Sequence, residues 1–248
     1  MAKVSATEVQ KAALRANDIA TCNNLMSLHA WYHASFLNSV ELEKCWVKSP
    51  ENAKTAVWAQ NAGYWIGMDN IKAYYGPVTP RDTTKAQFQF HTISSGIVEI
   101  ADDRKTAKGV WYTPGAIGRY PNVSGMWEKY GIDFLMENGE WKIWHLHVYT
   151  DFTHPLMGSG MQMGPPPGEK AEKFGAEAGG GTGRPMVPAQ ANADPGYTEF
   201  GNNYYPDLIP RPPEPYKTFS ETWSYGDPNE VKMFSGPYRE WSEIKKKK

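Results

Sequence analysis

Cysteine is scarce in this sequence. Cys22 and Cys45 are its only two among 248 residues, and they form no CxxC pair. Neither a disulfide framework nor a cysteine-rich zinc site is expected, and the usage fits a reducing, cytoplasmic setting. An excess of either charge is also lacking: 26 Lys and Arg face 27 Asp and Glu, for a net charge of -1. That balance gives no electrostatic ground for nucleic acid as a partner. No run of about 18 apolar residues occurs, so no membrane-spanning helix is expected. The N-terminal stretch MAKVSATEVQKAALR lacks a signal peptide's apolar core. GxGxxG, P-loop, HExxH and GxSxG motifs are missing, which leaves nucleotide cofactors, kinase chemistry and serine hydrolase chemistry without support. No internal repeat is visible.

Aromatic residues are abundant. Ten Trp, fourteen Tyr and nine Phe make up 13% of the chain. Such an excess suggests flat apolar surfaces to cover or an aromatic-lined pocket. The length suits one ordinary domain plus an extension, or two small domains. Composition changes near residue 154, after which lie 14 of the 19 prolines and 13 of the 23 glycines. We therefore read residues 1–153 as a folded domain and 154–248 as an extended arm. Residues 161–195, with GPPPG and GGGTG, should be irregular. Residues 197–241 carry many aromatics that need burial, so the arm is expected to wrap the core or a neighbouring subunit.

Periodicity predicts helices over 5–19, with a Ser5/Glu8 capping box, over 23–37 and over 40–46. Within the second, Leu25, Leu28, Tyr32 and Ser35 share a stripe. A strand at 55–61, a turn at 63–67 and a short helix at 68–75 follow. The pattern then alternates. One long strand is expected over 86–101, bulged at 94–96, then strands over 106–113, 126–136 and 141–152. A Gly/Pro-rich excursion fills 114–125, and Asn138-Gly139 marks a hairpin turn. Helices followed by an antiparallel meander imply an α+β fold, a curved sheet forming a cone with helices over one face.

The stretches LHAWYHASFLNSVELEKCW, VWAQNAGYWIGMDNIKAYYG, FHTISSGIVEIADDRKTAKGVW and KYGIDFLMENGEWKIWH occur in the order seen in the SnoaL-like branch of the nuclear transport factor 2-like superfamily. The resemblance covers about residues 20–152. The strand with His91, Gly96, Ile97–Ile100, Asp102–Asp103, Gly109 and Trp111 is similar to the scytalone dehydratase strand that carries a catalytic histidine. Tyr130 falls where that enzyme places a pocket asparagine, and Tyr32 near the oxyanion-binding tyrosine of ketosteroid isomerases. The aromatic tail resembles a bacterial subgroup that includes diarylpropane lyases, which remove formaldehyde from lignin-derived aromatic dimers without a cofactor. The resemblance implies cofactor-free acid/base chemistry on a hydroxylated aromatic small molecule. A dehydratase, isomerase or hydrolase of the same fold, and a non-catalytic binding module, stay open beside it.

Histidine titrates nearest neutrality and is the natural proton shuttle. His91, on one strand face with Gln89 and Ile93, is the candidate acid/base if that face is concave. Tyr32 and Tyr130 are candidates to position substrate hydroxyls, with Tyr32 preferred over the adjacent His33 for the inward direction. His33, Trp58, Asn61, Trp65, Trp111, Tyr112 and His147 are candidate wall residues for a flat ligand, with Tyr64 beside them. His145 and His147 share a strand face with Trp141, Ile143 and Tyr149, but both faces of that strand are apolar, so the inner face is undecided. No third ligand completes a His-x-His metal site at a persuasive spacing, and no metal is expected. Asp133 should face away from Tyr130. A homo-oligomer is expected because the convex sheet face and the arm both need a partner surface.

Overall fold

The computed structural model describes residues 5–76, 87–119, 122–157, 189–190 and 207–245. Helices α1 (Ala6–Ala34), α2 (Asn38–Cys45) and α3 (Pro50–Thr55) come first. A hairpin of β1 (Val57–Gln60) and β2 (Gly63–Ile66) and helix α4 (Met68–Tyr75) follow. Then come β3 (Gln87–His91), β4 (Ser94–Ile100), β5 (Thr106–Tyr112), β6 (Gly115–Arg119), β7 (Asn122–Glu137) and β8 (Glu140–Met157). Short helices α5 (Glu230–Phe234) and α6 (Trp241–Lys245) lie near the C-terminus. The expected irregular segment 161–195 lies outside the described residues except for Ala189 and Gln190. Among the described residues, no helix is long and apolar enough to cross a membrane.

Helix α1 starts at the Ser5/Glu8 capping box and runs unbroken through the gap expected at 20–22. Thr21 and Asn23 resemble cap residues but bond back within the helix. Thr21 Oγ1 donates to Asn17 O (2.8 Å) and Asn23 Nδ2 to Ile19 O (3.0 Å), which removes the competition such side chains usually offer.

One curved sheet runs in the order β2-β1-β8-β7-β5-β4, and a β3–β6 pair branches off along β7. Among the described residues the strand ladders are antiparallel except β1 on β8, which is parallel. The strand expected over 86–101 is two strands. It breaks at Thr92–Ile93, opposite Thr113–Pro114, where proline has no N–H to give the ladder. Thr92 N and Oγ1 both donate to the Pro114 carbonyl (3.1 and 2.8 Å). A single bent hairpin thus has β4/β5 on one side of a corner and β3/β6 on the other. β7 pairs with β5 through residues 129–135 and with β6 through 122–126, so it follows the same corner. The expected excursion over 114–125 is therefore largely strand.

A bulge decides which face of β8 is inner. Asp133 pairs with His145, whereas Phe134 pairs with Ile143, leaving Trp144 as the extra residue. Ile143 and Leu146 can then both enter the core beneath α1, α2 and α4, and His145, His147 and Tyr149 turn to the convex face. The chain's own segment 207–245 covers that face. Ile209, Trp223, Tyr225, Val231, Phe234 and Ile244 pack on Val110 and Tyr149 there. The expectation of an oligomer through an open convex face loses that ground.

Candidate active site

Buried polar groups gather on the concave side, between the helices and the β6/β7 corner. Helix α1 supplies His29 and His33, four residues apart and so on one face. Both are buried. Their rings stack at 5.7 Å between centroids, and His33 lies 5.2 Å from the ring of His91. His91 ends β3 at the sheet corner and pairs with Gly115. A Cβ on Gly115 would stand 2.3 Å from Phe90 O and 3.0 Å from His91 Nδ1, so only glycine admits the histidine in this position.

His91 meets Glu128 of β7. Nδ1 and Oε2 are 3.1 Å apart, with side chains 6% and 4% exposed. The contact has the distance of an ion pair without the alignment of a hydrogen bond, and among the described residues neither atom has another hydrogen-bond partner. The second Glu128 oxygen accepts from Thr150 Oγ1 (2.8 Å). A buried imidazole beside a buried carboxylate can hold a proton and deliver it to a bound molecule.

Glu41 of α2 is fully buried and organises the rest. Its Oε1 accepts from Trp46 Nε1 (3.0 Å) and lies 2.9 Å from His29 Nδ1. Its Oε2 accepts from the Tyr75 hydroxyl (2.6 Å). His29 Nε2 is 3.1 Å from the Tyr130 hydroxyl. The Tyr75 hydroxyl is also 3.0 Å from His33 Nδ1, which is 3.1 Å from Asn38 Oδ1. Burial, reinforced by Glu128 and Glu41, pushes the Tyr130 phenol well above its ordinary range, so Tyr130 stays protonated and acts as a donor. Burial and then Glu41 push the Cys45 thiol up to about 11, which keeps it from serving as a thiolate nucleophile.

Three imidazoles, two carboxylates and two phenols thus face one another. Among the described residues, no group of three or more His, Cys, Asp and Glu has the arrangement to hold a metal ion. An open cleft of about 550 Å³ lies elsewhere, between α2, α3 and α4, floored by Leu42, Val47 and Met68 with Lys48 and Lys72 at its margin. It contains none of these acid/base groups.

No family model and no curated protein matches this chain. Solved structures do. One is the hexachlorocyclohexane dehydrochlorinase LinA-type3 from Novosphingobium barchaimii LL02, at 14% identity and TM-score 0.45, covering 61% of this chain and 97% of that one. A putative scytalone dehydratase from Novosphingobium aromaticivorans DSM 12444 has 11% identity and TM-score 0.44 over 65% and 99%. An NTF2-like protein with a cystatin-like fold, also from Novosphingobium aromaticivorans, has 16% identity and TM-score 0.44 over 64% and 95%. The activities in these names belong to those proteins.

The structure brings His91, Tyr130, His33 and Trp58 together, Trp58 through its ring on Tyr75 at 5.4 Å. Trp65 stands behind, edge-on to Trp58 at 5.5 Å and stacked on Tyr74 at 3.7 Å. The other candidates lie apart. Tyr32 is half-buried at the core margin. The inward stripe of α1 is Cys22, Leu25, Met26, His29 and His33, so His33 takes the direction expected of Tyr32. Trp111 lies under α1, bonded to Asn23 Oδ1 (3.1 Å). Tyr112, next along β5, points outward and is 50% exposed. Asn61 pins the β1–β2 turn to Thr150 through both its amide atoms (2.8 and 3.1 Å). His147 is on the convex face, stacked on Tyr149 at 3.8 Å, and burial there lowers its pKa to about 3. His29, Glu41, Tyr75 and Glu128 were missed from the sequence. The His29/His33 spacing was the available signal for the first. The two carboxylates gave none, because an isolated Glu usually reads as surface.

Proposed function

We propose that this protein is a cofactor-independent lyase acting on a hydroxylated phenolic small molecule, such as a lignin-derived diarylpropane diol. The observation that carries this reading is the buried His91–Glu128 pair, flanked by His33 and Tyr130, at the sheet corner. Protonated His91 donates to the benzylic hydroxyl, the C–O bond breaks and water leaves. The para-phenol loses its proton to a base and pushes its electrons into the ring, giving a quinone methide. Cleavage of the bond to a neighbouring hydroxymethyl group then returns the electrons to the ring. That carbon leaves as formaldehyde, its hydroxyl proton passing to a base, and the product is a stilbene. Diol becomes stilbene, water and formaldehyde, with no external oxidant.

Replacing His91 with Ala should lower kcat by about 10²–10⁴ with substrate binding retained, the range for a lost general acid. Near-native turnover of a phenolic diol by that variant would remove His91 from the chemistry. Product mass tests the reaction class, since loss of water alone would mark a dehydratase.

A further inference from the structure

The step just described needs a base for the phenol, and His91 is occupied as the acid at the other end of the ring. The hydrogen-bond directions around Glu41 supply one. Trp46 Nε1 can only donate, so Glu41 Oε1 is an acceptor. His29 Nδ1, 2.9 Å from the same oxygen, must then carry a hydrogen and donate it. In the neutral imidazole this leaves the lone pair on Nε2, the atom 3.1 Å from the Tyr130 hydroxyl. Tyr130 therefore donates to His29, and its oxygen keeps lone pairs with which to accept. The order phenol, imidazole, carboxylate is the logic of an activated hydroxyl with an oriented base. Tyr130 and Glu128 are two residues apart on β7 and share a face, so a ligand at the His91–Glu128 pair would lie next to the Tyr130 side chain, whose hydroxyl also meets Thr113.

We infer that Tyr130, His29 and Glu41 form a relay that removes the proton of a bound phenol: Tyr130 exchanges it with the ligand, His29 stores it and Glu41 balances the charge. The ligand O–H breaks as a new O–H forms on Tyr130, while the original Tyr130 proton passes to His29 Nε2. The ligand becomes a phenolate and His29 an imidazolium beside a carboxylate. Tyr130 never rests as an anion, which agrees with burial and the facing Glu128 and Glu41 holding it protonated. Tyr130 is the catalytic residue of this set, and His29 and Glu41 are positioning residues. The charged and titratable groups facing the relay are Glu41, His33, Tyr75, Glu128 and His91. This inference rests on the lyase reading for its substrate, but its deciding readout, the ionisation of a bound phenol, needs no turnover.

The test uses 4-hydroxybenzaldehyde, whose phenolate absorbs at longer wavelength than its phenol. Wild-type protein should bind it as phenolate at a pH where the free compound is still largely phenol. Tyr130→Phe and Glu41→Gln should bind it as phenol, and each should lower kcat for a phenolic diol by about 10²-fold or more. In Glu41→Gln the carbonyl oxygen can still accept from Trp46 and His29, so circular dichroism and melting should stay near wild type while the spectrum changes. Bound probe that ionises equally in wild type and both variants would overturn the relay. So would failure of wild type to bind the probe, or binding of it only as phenol. Failure of the lyase reading looks different: wild type ionises the probe but releases neither water nor formaldehyde from a diol.

Discussion

Asp133→Asn is predicted to cost about 3–5 kcal/mol, the range for breaking a buried ion pair. Asp133 and Lys108 face each other across β7 and β5 on the convex side, and both are fully buried. Asp133 Oδ1 holds the Lys108 ammonium. Oδ2 accepts from Ser224 Oγ (2.8 Å) and Tyr225 N (2.9 Å), and His145 Nδ1 lies 2.8 Å from it. Burial alone would raise the Asp133 carboxyl, but Lys108 and His145 outweigh it and hold it at about 2. Lys108 also donates to Trp223 O (2.5 Å) and lies 4.5 Å from the ring centre of Tyr225. With Asn at 133, the ammonium keeps that carbonyl and the ring but loses its counter-charge. A loss of this size is a large share of the 5–15 kcal/mol that holds a typical domain together. Lys108→Met in the same chain removes the stranded charge, so the double variant should be more stable than the two single losses added together, by up to about 3 kcal/mol. Urea unfolding followed by tryptophan fluorescence, with limited proteolysis of the arm, measures both. A double variant as unstable as the sum of the singles would refute the claim that charge compensation fastens segment 207–245.

Two further predictions concern the same interface. Burial holds His147 at about 3, against 6.5 when free, and raises Glu230 to about 8, against 4.5. The depressed histidine contributes stability that is present above 6.5 and is lost as pH falls toward 3. The raised carboxyl contributes stability present below 4.5 and lost as pH rises through 8. Between 4.5 and 6.5 the two slopes, each about 1.4 kcal/mol per pH unit, cancel. Arm stability should therefore be flat there and decline on both sides, and Glu230→Gln should abolish the alkaline decline. Melting curves in which that variant keeps the wild-type decline from pH 6.5 to 8 would contradict this. Gly131→Ala would place a Cβ 2.6 Å from Tyr225 Cδ1 and 3.1 Å from Tyr149 Cε2. Overpacking of this kind costs about 1–3 kcal/mol, and an unchanged Tm and proteolysis pattern would show that Tyr225 moves aside freely.

The sequence carried the fold class because its periods change from helical to alternating near residue 86 and its Asn138-Gly139 turn is specific. Both turn residues adopt positive φ, 53° and 84°. Features set by pairing partners were less legible. Nothing local distinguishes one bulged strand over 86–101 from two strands pairing on different sides of a corner. The face assignment of β8 turned on one extra residue, Trp144, and periodicity of two cannot survive such an insertion. Tyr32 was preferred over His33 because Leu28 was counted as inward, yet Leu28 is 39% exposed. The true stripe, with its two histidines, looks more polar than a core stripe should. Polarity of that kind on a buried face has to be met by partners, as Glu41 meets His29 and Asn38 meets His33.

One strand joins the two halves of the molecule. β7 turns Glu128 and Tyr130 toward the helices and Gly131 and Asp133 toward the arm, so the groups we assign to chemistry and the groups that hold the arm alternate along a few residues. Tyr225 seats its ring against Gly131 and its N–H on Asp133, and its hydroxyl donates to Arg211 O. The arm thus braces the outer face of the strand whose inner face carries Tyr130. A buried relay needs its members held to a fraction of an ångström, and the neighbouring β8 carries an extra residue opposite Trp127–Glu128 and another opposite Asp133–Phe134, where the ladder holding β7 is interrupted. Bracing from outside compensates for those interruptions. It follows that changes at Lys108 or Gly131, remote from any ligand at the concave cluster, should act on turnover through the position of Tyr130.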